Sequence, residues 1–265
     1  MQYSNEMIEY RLETLPTLLR TLLEEAEAFI GEEEFKGKKT YLIYSEDDIT
    51  DILEQLDISF ESKDTEETGW QEKWKEYIEE DYLTDNIFFI FEKGKSFDDN
   101  RRTLYINPSL AFGTGAHPTT KIAARLLCPI VANKTMLDVG TGSGILAIAG
   151  SIEGALSVDA FDIDPMAYNN CVENIQNNNC NNINTWTGNI EDIRDKKYDI
   201  VCANIISSVL LSIKDSVNNL ASEYIIYSGI LDSEYENIKE ELCAGYIEDE
   251  RITINEWTGV RLKKC

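Results

Sequence analysis

Met136-Leu-Asp-Val-Gly-Thr-Gly-Ser-Gly-Ile-Leu-Ala-Ile-Ala149 decides the fold. Its opening residues are apolar and of strand type. Three glycines follow at alternate positions, Gly140, Gly142 and Gly144, and an almost wholly apolar segment of helical character completes the stretch. Strand, tight turn and buried helix form the first unit of an open, mostly parallel sheet, which predicts an α/β fold. Glycine suits the turn because a side chain would hold the backbone away from a ligand lying across it. In such sheets ligands sit beyond the carboxyl ends of the strands, where this turn lies.

Which ligand follows from the spacing. The dinucleotide fingerprint has a third glycine where this chain has Ile145. Gly-x-Gly-x-Gly without it is the form that S-adenosylmethionine-dependent methyltransferases usually carry. A glycine-rich turn alone can equally be backbone punctuation. A second signal favours a ligand: Ser157-Val-Asp-Ala-Phe-Asp162 reads as the next strand and ends on a carboxylate. Asp162 falls about 20 residues beyond the glycines, where an acidic side chain can bind both ribose hydroxyls. The helix cap is assigned instead to Asp164, which precedes Pro165, with Tyr168, Cys171, Val172 and Ile175 following at helical spacing.

Composition narrows the classes. A chain of 265 residues with 43% hydrophobic residues can hold two domains, or one large domain with an appendage. No apolar run has membrane length, and Met1 is not followed by a charged-then-apolar leader pattern. Six scattered cysteines without a Cys-x-x-Cys pair suit thiols in a reducing compartment, and predict a cytoplasmic protein with no metal site. The net charge is −25, of which residues 1–85 carry −17. Such a surface repels a phosphate backbone and argues against nucleic acid as substrate. It fits a basic protein partner, and equally the solvated faces of a generally acidic protein.

Residues 1–65 read as a small α+β unit. Tyr10 to Glu13 and Thr40 to Tyr44 are strand-like, as is Ile58 to Glu61. Leu15, Leu18, Leu19, Leu22, Leu23, Ala26 and Phe29 form one helical face, and Ile49, Ile52, Leu53 and Leu56 the inward face of a second helix. Residues 66–85 read as a polar, helical connector whose Trp70, Trp74, Tyr77 and Ile78 form a packing stripe. From residue 86 onward come strands at Asn86 to Phe91 and Thr103 to Asn107, with a loop from Gly94 between them. Ala111-Phe-Gly-Thr-Gly-Ala-His-Pro-Thr-Thr120 then interrupts regular structure before a helix opened by Pro118. His117 is the single histidine; with no Cys or Asp partner its default reading is structural. The Asn-rich run from Asn169 to Asn184 reads as helix surface and loop of biased composition.

Taken together, Ala111 to Thr120, Leu137 to Ala149, Asp162-Ile-Asp-Pro165, Ala203-Asn-Ile205, Ser228-Gly-Ile-Leu231 and Glu256-Trp257 closely resemble the bacterial methyltransferases that modify ribosomal large-subunit protein eleven. The motifs stand in that family's order from about Trp70 to the end of the chain. The resemblance implies a class I methyltransferase domain at 86–265, with a Rossmann-like seven-stranded sheet and a closing hairpin, after a small substrate-recognition domain. It implies S-adenosylmethionine as cofactor, contacted by Thr120, Gly140, Asp162 and Asn204, with Gly142 and Gly144 shaping the turn and Asn189 beside the adenine. Asn204 and His117 are the candidate catalytic residues, and a basic ribosomal protein is the implied partner.

The first 60 residues match the family poorly. Asn107-Pro-Ser109 replaces its usual Asp-Pro-Gly, and Phe88 to Gly94 stands where Pro-Ser-Trp is common. Two other readings therefore stay open: an N-methyltransferase of another protein, peptide or small amine, and a non-catalytic module that binds the nucleoside. Base methylation is disfavoured, because Asn204-Ile-Ile-Ser207 lacks the Asn-Pro-Pro-aromatic sequence typical of those enzymes.

Overall fold

The computed structural model describes residues 7–16, 19–20, 23, 29–35, 38–45, 48–65, 80–91, 101–107 and 115–265. The aromatic stripe of the connector, the loop from Gly94, Leu18, Leu22 and Ala26, and residues 111–114 of the first motif lie outside them. The chain divides into two units, Met1–Glu79 and Glu80–Cys265.

In the first unit, β1 (Met7–Leu12), β2 (Phe29–Phe35), β3 (Lys38–Ser45), α1 (Thr50–Gln55) and β4 (Phe60–Thr65) follow in sequence. The strands form an antiparallel sheet ordered β2-β3-β1-β4. Its core gathers Tyr10, Leu12, Leu19, Leu23, Ile43, Ile49, Leu53 and Ile58. The Tyr10 hydroxyl donates to Asp48 at 2.7 Å and accepts from the Ile49 N–H at 3.0 Å, so its buried oxygen is satisfied. Two expectations are corrected. Phe29 does not continue the helical face; it opens β2 and pairs with Tyr44, because cross-strand partners outweigh the weak strand preference of the glutamates that follow. Ile52 and Leu56 are exposed, not inward: a helix of six residues turns only the Ile49–Leu53 line onto the sheet.

The second unit opens with β5 (Asp81–Tyr82), β6 (Ile87–Ile90) and β7 (Arg102–Tyr105), a three-stranded sheet in that order. Next come α2 (Pro118–Leu127), β8 (Thr135–Val139), α3 (Ile145–Ile152), β9 (Ser157–Asp162), α4 (Pro165–Asn177) and β10 (Ile183–Thr187). After a short 3-10 turn at Ile190–Asp192 follow β11 (Tyr198–Asn204), α5 (Ser207–Leu220), β12 (Ala221–Leu231), α6 (Asp232–Leu242), β13 (Tyr246–Ile254) and β14 (Trp257–Lys264). The seven-stranded sheet has the order β10-β9-β8-β11-β12-β14-β13. Its first five strands are parallel; β14 returns antiparallel to β12, and β13 pairs with β14.

Burial on both faces explains the apolar strands. Met136, Ile200 and Cys202 pack with residues of α2, α3 and α4, while Leu137, Val201 and Ala203 pack with residues of α5 and α6. The alternation is the two-residue period of a strand covered on each side. At α4, Asp164 caps as expected, accepting from the Met166 and Ala167 N–H groups after an extended backbone. At α6 the residue type of Asp232 alone predicts a cap, and the structure corrects this. β12 runs into the helix without a loop, so Leu231 occupies the cap and Asp232 is the first helical residue, its carboxylate accepting the Thr258 hydroxyl at 2.8 Å. The Asn-rich run is corrected as well: Asn170 and Asn174 are buried.

Among the described residues no helix is long and apolar enough to cross a membrane. No group of His, Cys, Asp or Glu among them is placed to hold a metal ion. All six cysteines are unpaired.

Candidate functional site

The strand order reverses between β8 and β11, and sheets of this kind accept ligands beyond the carboxyl ends of the strands at such a point. The glycine turn follows β8 there. Gly140, Gly142 and Gly144 all have left-handed backbones, with φ of 67°, 52° and 83°. Two of them also have no room for a side chain. A Cβ on Gly140 would come within 2.9 Å of the Ile205 methyl, and one on Gly144 within 2.7 Å of the Cys171 sulfur. The turn closes on itself, the Gly144 N–H donating to the Thr141 carbonyl at 2.9 Å, and Gly144 is the cap of α3.

Asp162 ends β9 beside this turn. One carboxylate oxygen accepts the Gly142 N–H at 2.8 Å and the other the Asp164 N–H at 3.1 Å. A carboxylate offers about four lone-pair directions, so acceptor capacity remains for a vicinal diol. Asn189 is exposed just past β10, and its N–H donates to the Asp192 carboxylate at 2.9 Å. The preceding Gly188 N–H donates to the Asp162 carbonyl at 2.9 Å, which ties this turn to the same corner. The glycines, Asp162 and Asn189 are therefore brought together.

Thr120 and Asn204 form a second group. Asn204 ends β11, is 8% exposed, and donates from its amide to the Thr120 hydroxyl at 3.4 Å. Its Oδ1 is buried and has no hydrogen-bond partner. The Ser228 hydroxyl donates to the Thr119 carbonyl at 2.9 Å, so the first turn of α2 is held against the ends of both β11 and β12. Ile205, following Asn204, is the residue that a Gly140 side chain would strike, and its carbonyl oxygen lies 2.4 Å from a Cβ built on Gly229. The segment after β11 thus passes close over both neighbouring strand ends.

His117 has a defined structural part here. It caps α2: its Nδ1 lies 2.8 Å from the Thr119 hydroxyl and accepts the Thr119 N–H at 3.4 Å. Its ring meets Trp257 edge-on at 5.1 Å. The sequence signal for this helix start is Pro118 at its first position.

Two features of the site escape a reading by motif. Asp138 is buried within β8, accepts the Thr141 hydroxyl at 2.7 Å, and is pushed up to about 6 by burial, against that hydrogen bond and with the nearby Asp162 charge adding to the rise. Its signal was a carboxylate inside an otherwise apolar strand. Asn174, fully buried on α4, donates to the Ser143 carbonyl of the glycine turn at 2.9 Å.

The family model described as "Ribosomal protein L11 methyltransferase (PrmA)" matches residues 12–265. A ribosomal protein L11 methyltransferase of Lactococcus lactis subsp. cremoris is 31% identical over 263 residues, covering 95% of this chain and 82% of that protein. One of Streptococcus thermophilus is 32% identical over 229 residues, covering 82% and 71%. Among solved structures, the ribosomal protein L11 methylase of Lactobacillus delbrueckii subsp. bulgaricus superposes with a TM-score of 0.65 at 28% identity, covering 71% of this chain and 99% of that one.

Proposed function

The chain belongs to the ribosomal protein L11 methyltransferase family, and on that premise we propose that it methylates lysine or N-terminal amines of ribosomal protein L11. It is a class I methyltransferase, and its methyl donor is S-adenosylmethionine. The donor supplies an electrophilic methyl on a sulfonium; the rest falls to the side chains and backbone of the site.

In this reading Gly140, Gly142 and Gly144 cradle the donor. Asp162 binds the ribose hydroxyls, and Asn189 lines the adenine side. Thr120 and Asn204 border the methyl-bearing end. The left-handed glycines, the spare acceptor capacity of Asp162 and the closeness of these strand ends support it. His117 acts by holding the first turn of α2, which carries Thr120; its capping contacts support positioning rather than proton transfer.

The observation that carries the catalytic assignment is the orphaned Asn204 Oδ1. A buried acceptor without a partner costs about 1–3 kcal/mol, and an amine N–H presented to it would satisfy it. In-line displacement needs a neutral amine. A lysine of ordinary pKa costs about 4.6 kcal/mol to deprotonate at pH 7, an α-amine about 1 kcal/mol. The lysine enters as a cation, loses its proton to water, and is then held by Asn204 with its lone pair on the methyl. Positioning supplies most of the acceleration.

The net charge of −25 suits a basic acceptor protein. Unpaired cysteines suit the reducing cytoplasm, where we place the enzyme. The test is incubation of purified ribosomal protein L11 with labelled S-adenosylmethionine and this protein, followed by mass spectrometry. Methyl groups on lysines or the N-terminus are expected. Normal donor binding without transfer would overturn the acceptor assignment and leave the methyltransferase assignment standing.

A further inference from the structure

Asn170 and Asn174 on α4 and Asn178 at its C-cap stand one turn apart, and all three spend their amides on the backbone of a segment far away in sequence. The Asn178 amide accepts the Tyr105 N–H at 2.9 Å and donates to the Tyr105 carbonyl at 2.6 Å, as a neighbouring strand would. Two residues further on, Asn174 accepts the Asn107 N–H at 2.7 Å and Asn170 donates to the Asn107 carbonyl at 3.1 Å. Tyr105 and Asn107 present alternate groups on the outer edge of β7, and the asparagines cap that edge.

Asn174 differs from the other two. Its amide also donates to the Ser143 carbonyl at 2.9 Å and to Asn170 Oδ1 at 3.3 Å, so one fully buried side chain joins the glycine turn to the end of β7. The Ser143 carbonyl shares a peptide plane with the Gly144 N–H, itself bonded to the Thr141 carbonyl. On the other side of Ser143, the Gly142 N–H is bonded to Asp162. Orienting that one carbonyl therefore orients the turn between Asp162 and the cap of α3. Burying an amide is costly unless every polar atom is partnered, as all are here.

We propose that Asn174 is a positioning residue for donor binding, holding the glycine turn in register with the end of β7 through the Ser143 carbonyl. This rests on the reading of the glycine turn as the donor cradle. Asn178 is the built-in control, because at the C-cap of the same helix it has the same chemistry but bonds only Tyr105 and the last turn of α4.

The experiment titrates S-adenosylhomocysteine into wild type, Asn174→Ala, Asn174→Asp and Asn178→Ala by calorimetry, with thermal midpoints measured alongside. Asn174→Asp keeps the acceptor for Asn107 and loses the donor to Ser143. Both Asn174 variants are expected to raise Kd tenfold or more, and Asn178→Ala less than twofold, although all three lower the midpoint. Unchanged Kd in the Asn174 variants, or equal weakening in Asn178→Ala, overturns the inference. Should the Asn174 variants fail to fold, amide exchange of the wild type decides. Saturating ligand is expected to slow exchange at Asn107 N–H, and no slowing there overturns the inference. Absence of binding in the wild type would instead remove the donor-cradle reading on which it rests.

Discussion

Replacing Asn204 by alanine separates catalysis from stability. Asn204 Oδ1 is buried without a partner, and its amide makes one long bond of 3.4 Å to Thr120. Deleting both groups removes an unsatisfied acceptor and a weak contact, so the unfolding free energy is expected to stay within about 1 kcal/mol of wild type. The acceptor nitrogen, by contrast, gains positive charge as its bond to the methyl forms, and its hydrogen bond to Asn204 becomes charge-assisted. Such bonds contribute about 1.5–3 kcal/mol. Because the gain is realised mainly in the transition state, it belongs to kcat, a loss of roughly 10- to 150-fold. The assay is steady-state turnover of ribosomal protein L11 at saturating donor, beside a urea titration of the same preparations. Turnover within twofold of wild type would refute the reasoning, since the orphaned Asn204 Oδ1 is the group on which it rests. Lost turnover with a collapsed urea midpoint would refute it too, by showing that Asn204 is structural.

Three further outcomes are expected. Gly144→Ala combines a φ of 83° with a Cβ 2.7 Å from the Cys171 sulfur, so it should destabilise by about 2–5 kcal/mol in chemical denaturation; adding Cys171→Ala should relieve the steric part and leave about 1–2 kcal/mol from the backbone. Asp138 has a folded pKa of about 6 against an ordinary 3.8, so the native state binds its proton more tightly and stability from this group falls as pH rises from about 4 to about 6. The loss is about 3 kcal/mol, and subtracting the urea-derived stability of Asp138→Asn from that of wild type across this window should reveal it. Asp162→Ala removes the acceptor for the Gly142 N–H and the proposed ribose ligand, and calorimetry should show Kd for S-adenosylhomocysteine raised by about 10-fold or more.

The core of the fold was legible because its signals are local. Gly140, Gly142 and Gly144 stand where only a left-handed backbone closes the turn, and the apolar strand and helix around them have unmistakable periods. Asp164 before Pro165 is a cap by residue type alone. The misreadings arise where a distant partner decides. The glutamates after Phe29 have weak strand preference, and register with β3 makes them β2. Asp232 has the residue type of a cap, but Thr258 on another strand draws its carboxylate away.

The asparagines of α4 show why part of the site stays hidden in a single sequence. Asn is common on helix surfaces and in loops, so a run of them reads as biased composition. What gives Asn174 its meaning is the backbone it meets: Asn107, 67 positions earlier, and Ser143, 31 positions earlier. Neither partner carries a residue-type signal, because each contributes only a peptide group that any residue owns. A motif can announce a side chain that contacts a ligand, since chemistry restricts its type. It cannot announce a side chain whose partners are the backbone of segments distant in sequence, and Asn174, which ties the glycine turn to the end of β7, is of that second kind.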